Sequence, residues 1–163
     1  MKTRIIFALL LLVPGVFVLG NNLQQKLDKA AFYAVMDRGN LEEVNNEVDV
    51  VAASSSPEKD GFTGALLMRK AGLVKLPAQK LKFFKAGRIK FDNAMSVDKD
   101  NVEYHFLRFA IQEHAPKIVK YRADIEADKK IIIASYKNLS PTVQHAIMDY
   151  TKNSKALHAS DLN

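Results

Sequence analysis

The sequence contains no cysteine. This absence excludes disulfide bonds, thiol catalysis, lipid attachment at a lipobox cysteine and zinc sites built from thiolates. The sequence also has no H-E-x-x-H pair and no EF-hand loop, and the stretch Gly61 to Gly64 lacks the spacing and the lysine-serine ending of a phosphate-binding loop. Serines cluster at 54–56 without a G-x-S-x-G elbow, so nucleophilic catalysis has no support. The fold must depend on its apolar core.

The chain begins with Lys2 and Arg4, which precede the apolar run Ile5 to Leu19. This layout is typical of a signal peptide, and the run is shorter than the ~18 residues of a membrane-spanning helix. We therefore expect residues 1–20 to be a cleaved signal peptide and residues 21–163 to form a single domain. Export without disulfides favours the periplasm of a Gram-negative bacterium, or secretion. The alternative is an uncleaved N-terminal anchor that would hold the protein at a membrane.

The charge balance is mildly basic. The chain has 24 lysines and arginines against 18 aspartates and glutamates, and removal of Lys2 and Arg4 leaves 22 against 18, a net charge of +4. Such an excess favours solubility and points weakly to an anionic partner. Because an exported protein rarely meets nucleic acid, we predict no nucleic-acid binding.

Helical spacing of apolar residues predicts an all-α domain of about seven helices. Arg38-Gly39-Asn40 is a helix stop followed by a cap, and therefore predicts a helical hairpin with a very short turn. The prolines and glycines that follow predict a linker near 54–58, a helix ending near Gly72, a helix from Pro77 to about Val97, a helix from near Lys117 to Tyr136 and a helix from Pro141. Residues 158–163 are expected to fray.

The segment Asp98 to Ile111 is predicted to hold the central helix, and its first residues, Asp98 to Asn101, are predicted to end the preceding helix and cap this one. When successive residues are placed about 100° apart, apolar side chains cover most of its circumference, so it must lie between neighbours. The polar stripe consists of Asn101, His105, Arg108 and Gln112. We interpret His105, Arg108 and Gln112 as a partner-binding surface in which the arginine holds a carboxylate or a backbone carbonyl. The alternative is that the stripe is only the solvated side of the helix.

The helix from Pro77 has an apolar arc and a basic side. Gly87 on the arc leaves room for a partner helix to approach closely. Lys82, Lys85 and Lys90 lie outside the arc, where they form either a solvated face or a contact surface for anionic lipid or polysaccharide.

The histidines do not predict a metal site. His105 and His114 are nine residues apart and would lie on opposite sides of one helix. His145 and Asp149 share a face at the i, i+4 spacing, which is typical of a surface hydrogen bond. We predict no metal and no cofactor.

Glu103 and Glu113 are the acids nearest the central helix. They would be ~15 Å apart along its axis, beyond the ~5–9.5 Å separation that glycoside hydrolysis requires. A glycan-acting hydrolase that uses acids from different helices is left as a minor alternative. We predict that the protein is not an enzyme.

Two resemblances bear on the fold. The junction Ala94 to Tyr104, A-M-S-V-D-K-D-N-V-E-Y, resembles the boundary between two tetratricopeptide repeats, which implies stacked antiparallel helical hairpins. An irregular helical bundle is the alternative.

The combination of D-R-G-N-L, G-A-L-L-M-R-K-A-G-L and E-Y-H-F-L-R-F-A-I-Q-E-H-A-P-K resembles an uncharacterised family of small secreted helical proteins of Bacteroidetes-type bacteria. That resemblance covers most of the chain. It implies a helical fold and export but assigns no activity. The expected function is an exported, non-enzymatic module that binds a protein or peptide or acts as a scaffold, its partner unknown.

Overall fold

The computed structural model describes residues 26–163, and these residues form seven α-helices and no β-strand. The helices are α1 Lys29–Arg38, α2 Leu41–Ala53, α3 Lys59–Leu73, α4 Pro77–Val97, α5 Val102–His114, α6 Ile125–Ser135 and α7 Pro141–Thr151. Short 3₁₀ segments lie at Lys117–Val119, Tyr136–Asn138 and Ala159–Leu162. The predicted all-α class is confirmed. The predicted signal peptide, residues 1–20, lies outside the described residues.

Within residues 26–163, no helix combines the length and the apolar character that crossing a membrane requires.

Local sequence signals set most helix ends. The side chains of Asp28, Asn40 and Asn101 accept backbone N–H groups in the first turns of α1, α2 and α5. Gly39 ends α1 with a left-handed φ of 63°, a conformation that a residue without Cβ adopts at little cost. The predicted hairpin between α1 and α2 and the predicted start of α7 at Pro141 are both confirmed.

The helix predicted from near Lys117 begins later. After the 3₁₀ turn Lys117–Val119, Lys120 adopts a left-handed φ of 48°, and α6 starts only at Ile125. The turn lets Tyr121 enter the core, where its ring meets Phe84 edge-on at 5.7 Å. A helix that continued from Lys117 would not place Tyr121 in the core. Burial of this aromatic side chain therefore favours the turn over the helix.

Helices α3 and α4 touch backbone to backbone through two glycines. A Cβ atom built on Gly87 would lie 2.6 Å from the carbonyl oxygen of Gly64 and 2.8 Å from the backbone nitrogen of Met68. A Cβ atom on Gly64 would meet the carbonyl oxygen of Gly87 at 2.7 Å. The close approach predicted at Gly87 is confirmed, and its partner is α3.

The central helix lies between neighbours, as predicted. Tyr104, Phe106, Leu107 and Phe109 are buried, and α5 contacts α3 as well as α6. Helix α1 also contacts α7. In an open stack of repeats each unit touches only its neighbours along the chain, whereas here the first and last α-helices of the described residues meet. The arrangement is that of an irregular helical bundle.

The expectation that residues 158–163 fray is wrong. Leu157 is fully buried and Leu162 is 4% exposed, so both side chains belong to the core. Lys129 of α6 donates to the carbonyl oxygen of Ala156 at 2.7 Å and pairs with Asp161 at 2.8 Å. Two apolar anchors and one lysine thus hold the C-terminal segment against α6.

Glu113 of α5 holds the start of this segment. Its carboxylate accepts hydrogen bonds from the hydroxyl groups of Tyr150 and Ser154 and from the backbone N–H groups of Lys155 and Ala156. Burial by itself would raise the pKa of Glu113, but the hydrogen bonds from Tyr150, Ser154 and Lys155 outweigh burial and lower it.

The glycine contact leads to the first prediction. Gly87→Ala should lower the free energy of unfolding by about 1–3 kcal/mol, because the new methyl group must push α3 and α4 apart. Gly72→Ala is the matched control: Gly72 also lies in a helix, but a Cβ there meets nothing within 4 Å. It should raise stability by about 0.5–1 kcal/mol through loss of unfolded-state entropy. Urea unfolding monitored by circular dichroism measures both, and equal effects would disprove the contact.

The second prediction concerns pH. Because folding lowers the pKa of Glu113, the carboxylate stabilises the folded state above its ordinary pKa of 4.5, and this contribution is lost as the pH falls through the folded pKa. The stability gap between the native protein and Glu113→Gln should therefore be large at neutral pH and narrow below about pH 4.5. Exposed Glu126 on α6 supplies the control, Glu126→Gln. A pH-independent gap for Glu113→Gln, measured by urea unfolding across pH, would contradict the assignment.

Candidate functional site

Asp128 of α6 is completely buried. Arg108 of α5 binds it with two parallel hydrogen bonds, Nε to Oδ2 and Nη2 to Oδ1, each 2.7 Å long. His105 Nδ1 lies 2.6 Å from Oδ1. The hydrogen bond to Asp128 raises the pKa of the Arg108 guanidinium, so it remains a cation despite partial burial. A buried carboxylate is tolerated only with such partners, and the pair locks α5 to α6.

Both ring nitrogens of His105 face acceptors. Nδ1 faces Asp128, and Nε2 lies 2.9 Å from the carbonyl oxygen of Lys99. A His–Asp pair also orients the base in Ser-His-Asp hydrolases, but there the second ring nitrogen receives the proton of the nucleophile. Here that nitrogen is occupied by a backbone carbonyl, so the geometry gives His105 a positioning role.

A second pair of contacts joins the same two helices. Gln112 Nε2 donates to Asp124 Oδ2 at 3.0 Å, and the backbone N–H of Asp124 donates to Gln112 Oε1 at 3.1 Å. Gln112 is fully buried. This reciprocal pair fixes the start of α6 against α5, one helical turn along from Asp128.

The polar stripe of α5 is therefore mostly covered and is not a solvated side. His105 and Gln112 are buried, and the Arg108 side chain is only 19% exposed. The stripe is covered because α6 packs along it, and Asp128 of α6 and its N-cap residue Asp124 supply two carboxylates. A signal for this pairing exists in the sequence: Asp124 and Asp128 are spaced i, i+4, so both face the same neighbour.

A cavity of about 450 Å³ opens beside this network and is bordered by α4, α5 and the segment that leads into α6. Its charged lining comprises four cations and two acids: Arg88, Lys99, Arg108, Lys120, Asp92 and Asp124. Because Asp128 neutralises Arg108 from behind, the other three cations and two acids leave an excess of +1 at the cavity. A concave, positively charged site raises the local concentration of anions.

One wall of the cavity is fixed by Tyr121. Its hydroxyl donates to Asp92 Oδ1 at 2.9 Å, while the guanidinium carbon of Arg88 lies 4.8 Å from the centre of its ring. Burial raises the pKa of Tyr121, with the Asp92 charge adding to the effect, so the hydroxyl remains a donor. Asp92 is thus occupied by Tyr121 and by Arg88, whose Nε is 3.2 Å away.

Lys99 and Lys120 make no ion pair with any residue of the described part of the chain. Both side chains line the cavity and both residues are exposed. Lys120 holds the left-handed backbone that a non-glycine residue rarely adopts. These two lysines are therefore the cations most available to a ligand, and sequence reasoning missed them because one follows α4 and the other lies in an unpredicted turn.

The three lysines predicted to meet an anionic surface do not behave alike. Lys82 and Lys85 are exposed on α4. Lys90 instead pairs with Asp60 of α3 at 2.9 Å. Lys90 remains exposed in this surface pair, and the contact of the three lysines with an anionic surface stays a prediction.

The acids considered for glycan chemistry are engaged separately. Glu103 is buried and bonds Lys29 and Tyr33, whereas Glu113 anchors the C-terminal segment. His145 Nε2 lies 3.1 Å from Asp149 at the protein surface, which confirms the predicted surface pair. Among residues 26–163, no three His, Asp or Glu side chains are grouped so that they could hold a metal ion.

Comparison of the chain with family models, with curated proteins and with solved structures found no match.

The third prediction tests the buried pair. Asp128→Asn should lower the free energy of unfolding by about 3–5 kcal/mol, because Arg108 loses its compensating charge and an amide NH₂ group faces its donors. Half-buried Asp149, which pairs with His145 and Lys152 at the surface, provides the control, and Asp149→Asn should leave the urea midpoint nearly unchanged. If both variants unfolded at the same urea concentration, Asp128 would not be the lock between α5 and α6.

Proposed function

We propose that this protein is an exported, non-enzymatic binding module that holds a carboxylate of a peptide or protein partner in the cavity beside α5. The main support is the incomplete hydrogen bonding of the Arg108 guanidinium. Its Nε and Nη2 atoms are bonded to Asp128, whereas Nη1 has no hydrogen-bond partner among residues 26–163. The nearby carboxylate of Asp124 lies 3.8 Å from Nη1, beyond hydrogen-bond distance.

The orientation of this arginine is set before any ligand arrives. Binding normally costs the ordering of flexible side chains, and a guanidinium already held by two hydrogen bonds avoids much of that cost. Its outer edge, formed by Nη1 and the second hydrogen of Nη2, matches the geometry of a carboxylate. Asp128 therefore acts as a support for Arg108, and the partner meets only the outer edge.

The remaining charges of the cavity favour an anion. Lys99 and Lys120 are unpaired within residues 26–163, while Asp92 already accepts from Tyr121 and Arg88. A volume of about 450 Å³ accommodates the end of a peptide, within the range of small-ligand sites. The free C-terminal carboxylate of a peptide is the ligand that this combination suits best.

Export and the absence of an enzymatic role are parts of the same proposal. They depend on residues 1–20 of the sequence and on the lack of a recognisable catalytic motif. A relation to tetratricopeptide repeats is not needed, since one cavity in a closed bundle is sufficient for this mode of binding.

The fourth prediction separates a carboxylate site from a general affinity for peptides. An N-acetylated alanine tripeptide with a free carboxylate should shift the nuclear magnetic resonance signals of Arg108 Nε–H and of the Gln112 side-chain amide. The same tripeptide with a C-terminal amide should shift neither. The double variant K99Q/K120N should weaken binding of the free acid by about five- to tenfold. Asparagine is chosen at 120 because it tolerates the left-handed backbone.

The control for this experiment is K130Q/K137Q, which removes two exposed lysines elsewhere and changes the net charge equally. Arg108→Ala is unsuitable, since it leaves Asp128 buried without its main partner. Equal binding of the acid and the amide, or equal weakening by the two double variants, would refute the site.

A further inference from the structure

The positive charge of the described chain is concentrated on one helix. Residues 26–163 contain 22 basic and 18 acidic residues, because Lys2 and Arg4 precede them, and their net charge is +4. Helix α4 carries five basic residues, Lys80, Lys82, Lys85, Arg88 and Lys90, and the single acid Asp92, also +4. The rest of the described chain therefore has 17 of each and no net charge.

Two of the basic residues of α4 are already engaged. Arg88 pairs with Asp92, and Lys90 pairs with Asp60 of α3. Lys82 and Lys85 are exposed and make no ion pair with any residue between 26 and 163. Lys80 is likewise exposed and has no ion pair within residues 26–163, but it lies on another side of the helix. Two of the three unpaired basic residues of α4, Lys82 and Lys85, thus lie on its outward side.

The same side exposes a large apolar residue. Lys82, Lys85 and Ile89 follow at spacings of three and four, so they share one face, and Ile89 is 63% exposed. Leu81 is 49% exposed on the flank of that face, and Val97 is 88% exposed at the end of the helix. We call Lys82, Lys85 and Ile89 the outward face of α4. The opposite side is buried through Phe84, Gly87 and Phe91.

We propose that the outward face of α4 docks on the surface of a bilayer that contains anionic phospholipid. Lysines beside exposed apolar residues on one helix are the features of a helix that lies in the membrane interface. The two lysines would meet headgroup phosphates while Ile89 enters the boundary between headgroups and acyl chains. At 21 residues α4 is about 30 Å long, which gives an extended contact in the plane of the bilayer. The cavity of the proposed peptide site uses other residues, so the two proposals are independent.

The fifth prediction uses the exported protein and two kinds of vesicle. It should sediment with vesicles of phosphatidylglycerol and phosphatidylcholine and should bind weakly to vesicles of phosphatidylcholine alone. K82Q/K85Q should weaken binding to the anionic vesicles by about tenfold or more. K130Q/K137Q removes the same charge elsewhere and should change binding by less than about twofold. If the apolar run Ile5 to Leu19 is retained, it adds to binding on both kinds of vesicle but contributes equally in all variants, so the comparison of K82Q/K85Q with K130Q/K137Q on anionic vesicles then decides the outcome.

A second pair of variants tests the contribution of the exposed apolar side chain to vesicle binding. Ile89→Gln should weaken vesicle binding, and the loss should persist at high salt because it removes apolar contact and leaves the charge unchanged. Ile118 is 87% exposed in the 3₁₀ turn after α5, and Ile118→Gln should have no effect.

Equal binding to both vesicle types, or equal loss in the two double-lysine variants, would overturn the proposal. Binding to heparin that K82Q/K85Q abolishes, without binding to anionic vesicles, would overturn the lipid assignment in favour of polysaccharide.

Discussion

The constraint on which the structure depends is the buried carboxylate of Asp128. A charge without solvent is stable only beside groups that compensate it, and here the partners are Arg108 and His105 of the neighbouring helix. Their geometry leaves little freedom in how α6 lies along α5. Gln112 and Asp124 repeat the constraint one turn away. The central helix is thus held by polar contacts on one side and by aromatic packing on the others.

The glycine contact between α3 and α4 decides which surface of α4 remains outside. Because Gly64 and Gly87 allow the backbones to touch, the middle of the apolar side of α4 packs closely against α3. The basic side is then turned outward, and Arg88 and Lys99 are brought to the cavity beside α5. Both proposed binding surfaces therefore follow from one close crossing, although they use different residues.

The acids of this protein show how neighbours determine the role of a side chain. Glu113 is an acid that sequence alone leaves without a role, and four hydrogen bonds make it the anchor of the C-terminal segment. Glu103 accepts hydrogen bonds from Lys29 and Tyr33. Arg108 differs from both because its guanidinium has a second edge that Asp128 does not occupy. A side chain with one edge bonded within the fold and another edge without such a bond is the strongest candidate for ligand binding.

The sequence by itself determined the all-α class, the ends of helices at Gly39, Asn101 and Pro141, and the close approach at Gly87. These features follow from capping, proline geometry and side-chain volume, which act within one helical turn or at a single residue. Only the tertiary structure decided that α6 covers the polar stripe, that α1 meets α7 and that Leu162 is buried. Such contacts join surfaces that are distant along the chain. Periodicity shows that a face is apolar or polar but does not specify which partner it meets.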